Sequence, residues 1–240
     1  VFMTKTQVYV VSHSEEDIKN IESNEIYVPL FVGRDGKDNL GFCSDDTGDN
    51  ISSKNSSYCE LTGLYWMWKN SDADIIGLVH YRRYFANRKY FSKRLEKEDL
   101  DAIFSNYDII LPKKTTSLLG SVYEDYEHWN YGKDLDLCEE VIGEIFPEYS
   151  DSYKKVINGN SLYYYNMFIA PKEIISKYCE WVFPILFEVE KRVDMTGYDD
   201  YQKRTVTYKY GNKALFKVVQ KAKQEIAKRI IKAIVCSKTE

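Results

Sequence analysis

The chain has 240 residues, of which 44% are hydrophobic and 29% are charged, and its 33 basic and 37 acidic side chains give a formal net charge of -4. This composition is typical of a soluble globular protein and excludes collagen-like, intrinsically disordered and disulfide-scaffold classes. A net negative charge also argues against nucleic acid as the partner, because phosphate backbones attract basic surfaces.

Cysteine usage and the lack of long apolar segments bear on the compartment. The cysteines are scattered and form no CxxC pair, so neither a zinc site nor a disulfide framework is predicted: Cys43, Cys59, Cys138, Cys179 and Cys236. Residues 1–11 lack the features of an export signal, and no segment reaches the roughly 18 apolar residues of a membrane-spanning helix. We therefore expect reduced thiols and a cytoplasmic location.

The first third of the chain alternates strand and helix signals. Gln7–Ser12 is a β-branched and aromatic run that predicts an inner strand ending at His13. Ser14, followed by three acidic residues, predicts a helix start, because acids in the first turn complement the helix dipole. Tyr27–Val32 predicts a second strand. The polar stretch Gly33–Ser57 is too long for a simple turn and indicates a functional loop.

The same alternation continues downstream. The first predicted element is a helix Tyr58–Asn70, which Asn55 and Ser56 or Ser57 can cap. The later ones, in order, are a strand Asp74–Tyr81, a helix near Glu98–Ser105, a strand Tyr107–Pro112, a helical region Ser121–Gly143, a strand Leu162–Ala170 and a helix Lys172–Arg192 kinked at Pro184. Strands separated by helices three or more times predict an α/β fold with a mainly parallel central sheet.

The C-terminal segment differs in charge from the rest. Lys213–Lys238 holds eight basic residues and one acid, and its apolar residues recur at helical spacing. We therefore divide the chain into a catalytic domain, residues 1–212, and a basic amphipathic C-terminal helix, residues 213–240. This helix is expected to lie on the inner face of the membrane as a peripheral anchor; the alternative is that it packs on the domain or on a partner chain.

Histidines and arginines at strand ends are the first candidates for chemistry. His13 and His80 follow predicted strands, and ligands of open α/β sheets bind beyond the carboxyl ends of strands; His128 lies in the phrase YEHW. Arg82 and Arg83 follow the strand that ends in HY, and guanidinium groups bind diphosphate oxygens in two places at once. In an extended segment the two arginines point oppositely, so only one of them need face a ligand.

Paired carboxylates are the candidates for a metal site or a general base. Asp72 and Asp74 form a D-x-D but precede their strand, at the wrong end for a cation site, and we interpret them as a turn and cap. Asp45 with Asp46, and Asp199 with Asp200, remain as candidates, but neither pair forms a D-x-D that follows an inner strand. We therefore predict no metal site and no required cofactor. The competing alternative is a divalent cation such as Mn²⁺.

Five segments together resemble a known family. They are CELTGLYWMWKN (Cys59–Asn70), IIGLVHYRRYF (Ile75–Phe85), YDIILPKK (Tyr107–Lys114), YYNMFIAPKEIISKYCEWVFPILFEVEKR (Tyr164–Arg192) and YDDYQKR (Tyr198–Arg204). In this order they resemble the "domain of unknown function 4422" family, which is found in bacterial capsule and exopolysaccharide gene clusters and regarded as glycosyltransferases. The resemblance runs from about Gln7 to about Arg204 and implies one Rossmann-like domain of the GT-A type.

The resemblance also implies a reaction. The chain is expected to move a hexose, with galactose in pyranose or furanose form as one candidate, from a UDP-sugar to a lipid-linked saccharide. The donor would be bound by His13, Asn55, Glu60, Arg82 and Arg83. The base is expected among His80, His128, Asp199 and Asp200, which stay unranked. Retention or inversion and the oligomeric state stay open, with a homo-oligomer as one alternative.

One departure from the family pattern supports a second hypothesis. After YDDYQKR the family usually continues with a phrase like GFLSERL, whereas this chain reads TVTYKYGNKALFKVV. A glutamate and an arginine of that phrase are missing. The alternative function is therefore a non-catalytic carbohydrate- or nucleotide-sugar-binding member of the same fold.

Overall fold

The structure is a computed structural model. It describes residues 4–38, 40–86, 93–163, 165–199, 230–233 and 235–237. The chain forms two compact units. The first unit comprises Val1–Lys113, Tyr165–Ser176 and Ala227–Glu240, and the second comprises Lys114–Tyr164 and Lys177–Ile226.

Strands and helices alternate through most of the described chain. The strands are β1 (Thr6–Ser12), β2 (Tyr27–Phe31), β3 (Cys43–Ser44), β4 (Ile75–His80), β5 (Arg83–Phe85), β6 (Ile109–Pro112), β7 (Thr115–Thr116), β8 (Ser161–Leu162), β9 (Phe168–Pro171), β10 (Ile230–Ala233) and β11 (Val235–Ser237). The helices are α1 (Glu15–Lys19), α2 (Asn55–Tyr58), α3 (Leu61–Asn70), α4 (Lys97–Phe104), α5 (Val122–Glu127), α6 (Lys133–Ile145), α7 (Ser150–Ile157) and α8 (Lys172–Arg192), with 3₁₀ turns at Ser52–Lys54 and Pro147–Tyr149.

The first unit is built on one sheet with strand order β10-β6-β9-β4-β1-β2-β3. β1 pairs in parallel with β2 and β4, β2 with β3, and β6 with β10. β9 is antiparallel to both of its neighbours, β4 and β6, so the other strands on this path share one direction. The predicted α/β fold with a mainly parallel central sheet is confirmed.

The central strands β1 and β4 of this sheet are buried because their residues are apolar on both faces. Val8 and Val10 of β1, and Ile76 and Leu78 of β4, are almost completely shielded from solvent. Gly77 allows β9 to approach β4 closely: a Cβ at this position would lie 2.8 Å from Ile169 Cγ1. The packing of β9 against β4 therefore requires a residue without a side chain at this central position.

Two predicted elements are interrupted in the structure. The predicted strand Leu162–Ala170 is wrong as one continuous strand, because β8 and β9 are separated by Tyr165 and Asn166, whose φ angles are 79° and 48°. The predicted helix Tyr58–Asn70 is likewise divided into α2 and α3 at Cys59, where φ is 47°. Left-handed backbone cannot continue either element.

The second unit contains the short antiparallel pair β7 and β8 together with α5, α6 and α7. The predicted helical region Ser121–Gly143 consists of two helices, α5 and α6. Val122, Tyr126, Leu135 and Leu162 form a buried apolar cluster.

The C-terminal segment differs from its predicted helix. Residues 213–229 of that helix, and the domain boundary after residue 212, lie outside the described residues. Ile230–Ala233 and Val235–Ser237 are strands, so the helix prediction is wrong for this part. β10 extends the sheet beside β6, and β11 pairs antiparallel with β5. The β-branched run of isoleucines and valine suits strand pairing, which the helical periodicity did not reveal.

Within the described parts of the chain, no helix is both long enough and apolar enough to cross a membrane.

Candidate functional site

The carboxyl ends of β1, β2 and β4 meet at one edge of the first unit's sheet. Ser12 is in register with Phe31 of β2, and Val11 is in register with His80 of β4. His13 follows β1 directly and is exposed to solvent. This edge is where open α/β sheets bind their ligands.

A tight hairpin joins β4 to β5 at this edge. His80 and Arg83 are direct cross-strand partners, so their side chains leave the sheet on the same face. Tyr81 and Arg82 form the turn between them. The guanidinium of Arg83 lies 4.6 Å from the ring centroid of Tyr165, whereas that of Arg82 lies 5.0 Å from the ring of Tyr81. The two arginines thus stack on different aromatic rings, and Arg83 is the one beside His80.

The antiparallel strand β9 brings a distant segment to the same place. Because Leu78 pairs with Phe168, the residues just before β9 return to the carboxyl end of β4. His80 Nε2 lies 2.7 Å from the backbone oxygen of Tyr165. Tyr165 and Asn166 both have positive φ angles, a backbone conformation that non-glycine residues rarely adopt and that concentrates at functional sites.

A buried carboxylate holds this segment. Glu60, which is only 6% exposed, accepts a 2.9 Å hydrogen bond from Asn166 Nδ2. Glu60 immediately precedes α3. Contacts therefore link Glu60, Asn166, Tyr165, His80 and Arg83, and we call these residues the His80 cluster. Its five members belong to the first unit.

The long polar loop after β2 is organised by a different carboxylate. Asp45 is fully buried, and its Oδ2 accepts from Gly33 N at 2.9 Å and from Thr62 Oγ1 at 2.5 Å. Its Oδ1 accepts from Arg34 N at 3.3 Å and from Ser52 Oγ at 2.5 Å. Four protein donors thus use both oxygens, so Asp45 serves the loop's own structure.

Asn55 contributes to the same loop. Its Nδ2 donates to the backbone oxygen of Cys59 at 2.8 Å and to Thr62 Oγ1 at 2.9 Å. A Cβ at Gly33, where φ is +70°, would lie 2.5 Å from Asn55 Oδ1, so the amide packs directly on that glycine. Asn55 therefore stabilises the turn that precedes α3 rather than capping that helix.

Arg34 is a buried cation that sequence reasoning did not single out. It is 5% exposed, and its guanidinium lies 4.4 Å from the ring centroid of Phe31 and 3.9 Å from Glu15 Oε1. It also donates to the backbone oxygen of Asp38. Its position directly after the predicted strand and Gly33 was the available signal.

The remaining predicted base candidates belong to the second unit. His128 and Asp199 are exposed, and the His128 ring lies 4.7 Å from Trp129. Asp200 lies outside the described residues. The described structure thus brings His80 together with Glu60 and Arg83, whereas His128 and Asp199 are carried by other elements.

A buried carboxylate also anchors the YDD segment. Tyr198 donates to Asp134 Oδ1 at 2.5 Å, and Tyr126 donates to Asp134 Oδ2 at 2.5 Å. Burial raises the pKa of the Asp134 carboxyl above its usual range, although both tyrosine hydrogen bonds oppose that rise. Asp199 is therefore carried on a segment that a buried tyrosine fixes in place.

Sequence reasoning missed Tyr165 and Asn166 as site residues. The signal was the phrase YYN before an apolar strand, since asparagine adopts left-handed backbone more readily than most residues.

No cluster of three or more His, Cys, Asp or Glu side chains suited to a metal ion occurs within the described residues. The Asp45 oxygens are occupied by four donors within the loop.

Comparisons with known proteins identify relatives of this chain. The family model described as "Domain of unknown function (DUF4422)" matches residues 7–225. Among solved structures, the chain is similar to the apo structure of WbbM, a bifunctional glycosyltransferase, with a TM-score of 0.84 and 29% sequence identity. This similarity covers 99% of the chain and 46% of WbbM, so the chain spans about half of that protein. No curated protein matches the chain.

Proposed function

Because the chain belongs to the DUF4422 family, we propose that it is a glycosyltransferase acting on a nucleotide-sugar donor. The observation that carries this proposal is the likeness to the bifunctional glycosyltransferase WbbM, which extends over 99% of the chain. The His80 cluster supports it, since a histidine, a cation and strained backbone meet at the sheet edge where α/β folds bind ligands.

The donor proposed for this site is a UDP-sugar. Its diphosphate would be bound beside the β4–β5 hairpin, with Arg83 as the principal cation and Arg82 as the second. His13 directly follows β1, and Asn55 is the first residue of α2, which follows the long polar segment after β2; both would border the nucleotide. Guanidinium groups can neutralise the charge that develops on the leaving diphosphate, the task that a cation performs in other enzymes.

The proposed acceptor is the hydroxyl of a lipid-linked saccharide, and the sugar moved is a hexose, with galactose in pyranose or furanose form as one candidate. The proposed reaction belongs to capsule or exopolysaccharide synthesis at the cytoplasmic face of the membrane. His80 is the proposed base, because its imidazole shares a face of the hairpin with Arg83. The basic residues of 213–229 would hold the protein to anionic lipid, at about 1 kcal/mol for each lysine or arginine.

The test is UDP release from a panel of UDP-hexoses, measured with and without a lipid-linked acceptor. Loss of one guanidinium contact to the diphosphate costs about 1.5 to 3 kcal/mol, which corresponds to roughly a 10- to 150-fold loss in donor affinity or kcat/KM. Arg83→Ala should show this loss. Lys97→Ala removes one positive charge from an exposed ion pair on α4 and serves as the matched control.

Two results would overturn the proposal. Binding of UDP-sugars without turnover of any donor would favour the non-catalytic alternative. Equal donor affinity and turnover in Arg82→Ala, Arg83→Ala and the unsubstituted protein would show that the diphosphate does not bind at the hairpin.

A separate test concerns the proposal that no metal is needed. This proposal fails if EDTA abolishes turnover and manganese restores it.

A further inference from the structure

We infer that Glu60 and Asn166 are positioning residues that hold the imidazole of His80 in its Nε2-protonated form, which leaves Nδ1 as the proton acceptor. This inference rests on the proposed glycosyltransferase function. It identifies the atom of His80 that accepts the proton and the two residues that determine which atom this is.

The tautomer follows from the hydrogen-bond partner of His80. Nε2 lies 2.7 Å from the backbone oxygen of Tyr165, and a carbonyl oxygen can only accept. Nε2 therefore carries the hydrogen. A neutral imidazole has one N–H, so Nδ1 keeps a free electron pair. Among the described residues, no hydrogen-bond partner occupies Nδ1.

The carbonyl of Tyr165 is placed by unusual backbone. Tyr165 has a φ of 79° and Asn166 a φ of 48°, so two successive non-glycine residues are left-handed. Such backbone persists only where surrounding contacts determine it. The contact found here is the 2.9 Å hydrogen bond from Asn166 Nδ2 to Glu60 Oε1, between residues that are 106 positions apart in the chain.

Glu60 is itself well placed to act as an anchor. It is 6% exposed and lies between the left-handed Cys59 and the first turn of α3, so its carboxylate has little freedom to move. Glu60 orients the amide of Asn166, and this amide fixes the Tyr165–Asn166 turn. The turn in turn presents its carbonyl to His80 and the Tyr165 ring to Arg83.

The chemical step is a direct displacement. The acceptor hydroxyl oxygen forms a bond to the anomeric carbon, while the bond between that carbon and the diphosphate oxygen breaks. The electron pair of the broken bond leaves with UDP beside Arg83, and the hydroxyl proton moves to His80 Nδ1. The resulting imidazolium then loses a proton to water. One displacement of this kind inverts the anomeric configuration.

The first arm of the test is kinetic. Removal of a general base costs about 10²- to 10⁴-fold in rate, and His80→Ala should show a loss in this range. This loss is the upper bound for the positioning variants. Glu60→Ala is expected to lower kcat about 10- to 100-fold, the range typical of residues that orient a reacting ligand, with donor KM changed less than about 3-fold. Glu60→Gln retains an oxygen that can accept from Asn166 and should recover most of the lost kcat.

The double variant distinguishes positioning from a general structural effect. Glu60→Ala combined with His80→Ala should be no slower than His80→Ala alone, because both changes remove the same catalytic contribution. Additive losses would overturn the inference, as would an unchanged kcat in Glu60→Ala. Asn166→Gly tolerates the left-handed backbone but removes the amide, so it tests the link if Glu60→Ala fails to fold.

The second arm reads the tautomer directly and needs no turnover. The chain has three histidines, so ¹⁵N NMR of the imidazoles can be assigned with His80→Ala. Neutral His80 should give the Nε2–H pattern, and Asn166→Gly or Glu60→Ala should give a mixture of tautomers. An Nδ1–H pattern in the unsubstituted protein would overturn the inference. If no donor is turned over, the proposed function fails, and this arm alone then decides the positioning role.

Discussion

Replacing Asp45 by asparagine tests whether one buried carboxylate holds the loop between β2 and α3. Each Asp45 oxygen accepts two hydrogen bonds, one pair from Arg34 N and Ser52 Oγ and the other from Gly33 N and Thr62 Oγ1. Asparagine keeps one oxygen and turns an NH₂ group towards the other two donors. Both bonds to that oxygen are therefore lost: the backbone N–H is left without an acceptor, and the hydroxyl must rotate to another partner.

The expected magnitude follows from those two bonds. Hydrogen bonds to a charged group contribute about 1.5 to 3 kcal/mol each, so Asp45→Asn should lower the free energy of unfolding by about 3 to 6 kcal/mol. That is a large part of the roughly 5 to 15 kcal/mol that stabilises a typical domain. Urea unfolding followed by circular dichroism measures the change, with tryptophan fluorescence as the second probe of two-state behaviour.

Asp46→Asn is the matched control, since it makes the same chemical change one residue away. Asp46 is half-buried and accepts one side-chain hydrogen bond, from Ser44 Oγ at 2.5 Å. It should cost about 1 to 2 kcal/mol or less. Equal midpoints for the two variants, or an Asp45→Asn variant within about 0.5 kcal/mol of the unsubstituted protein, would refute the reasoning.

Three further predictions concern packing, pH and the YDD anchor. Gly77→Ala should destabilise by about 1 to 3 kcal/mol in urea, because its Cβ would lie 2.8 Å from Ile169 Cγ1, whereas Gly143→Ala in α6 meets only Ser150 Oγ at 3.8 Å and should be neutral or stabilising. Burial raises the pKa of Tyr9 to about 12. The contribution of the neutral Tyr9 phenol to stability is therefore complete below pH 10 and is lost between pH 10 and 12, at about 1.4 kcal/mol per pH unit. Base titration followed by circular dichroism checks this. Tyr198→Phe removes a hydrogen bond to Asp134 and should lower the free energy of unfolding by about 1.5 to 3 kcal/mol, and an unchanged urea midpoint would contradict the anchor.

The strands that build the sheet could be predicted because their cause is local. Gln7–Ser12 and Tyr27–Val32 are β-branched and aromatic runs, and the structure has β1 and β2 at these places. The sequence also predicts that His80 and Arg83 lie near the same strand end, since both residues occur at the end of one apolar run. A local pattern decides such elements because both faces of a central parallel strand demand apolar side chains.

The interrupted elements could not be predicted, because their cause is distant in sequence. Nothing near Tyr165 and Asn166 forces left-handed backbone, and the run Leu162–Ala170 favours a strand by composition. The contact between Asn166 and Glu60 is one restraint on this segment, and it bridges 106 positions. Similarly, the helical periodicity of the C-terminal segment gives no sign that β6 and β5 offer strand edges to Ile230–Ala233 and Val235–Ser237.

The direction of β9 connects the fold to the candidate site. A parallel strand beside β4 would begin at the opposite edge of the sheet, and the residues before it would lie far from His80. Since β9 is antiparallel, its first residue, Phe168, pairs with Leu78 near the end of β4, and Asn166 arrives at the edge where His80 emerges. Gly77 permits this pairing by leaving room for Ile169. The reversed direction of β9 in a mainly parallel sheet therefore makes a sequence-distant asparagine and its preceding carbonyl neighbours of the proposed base.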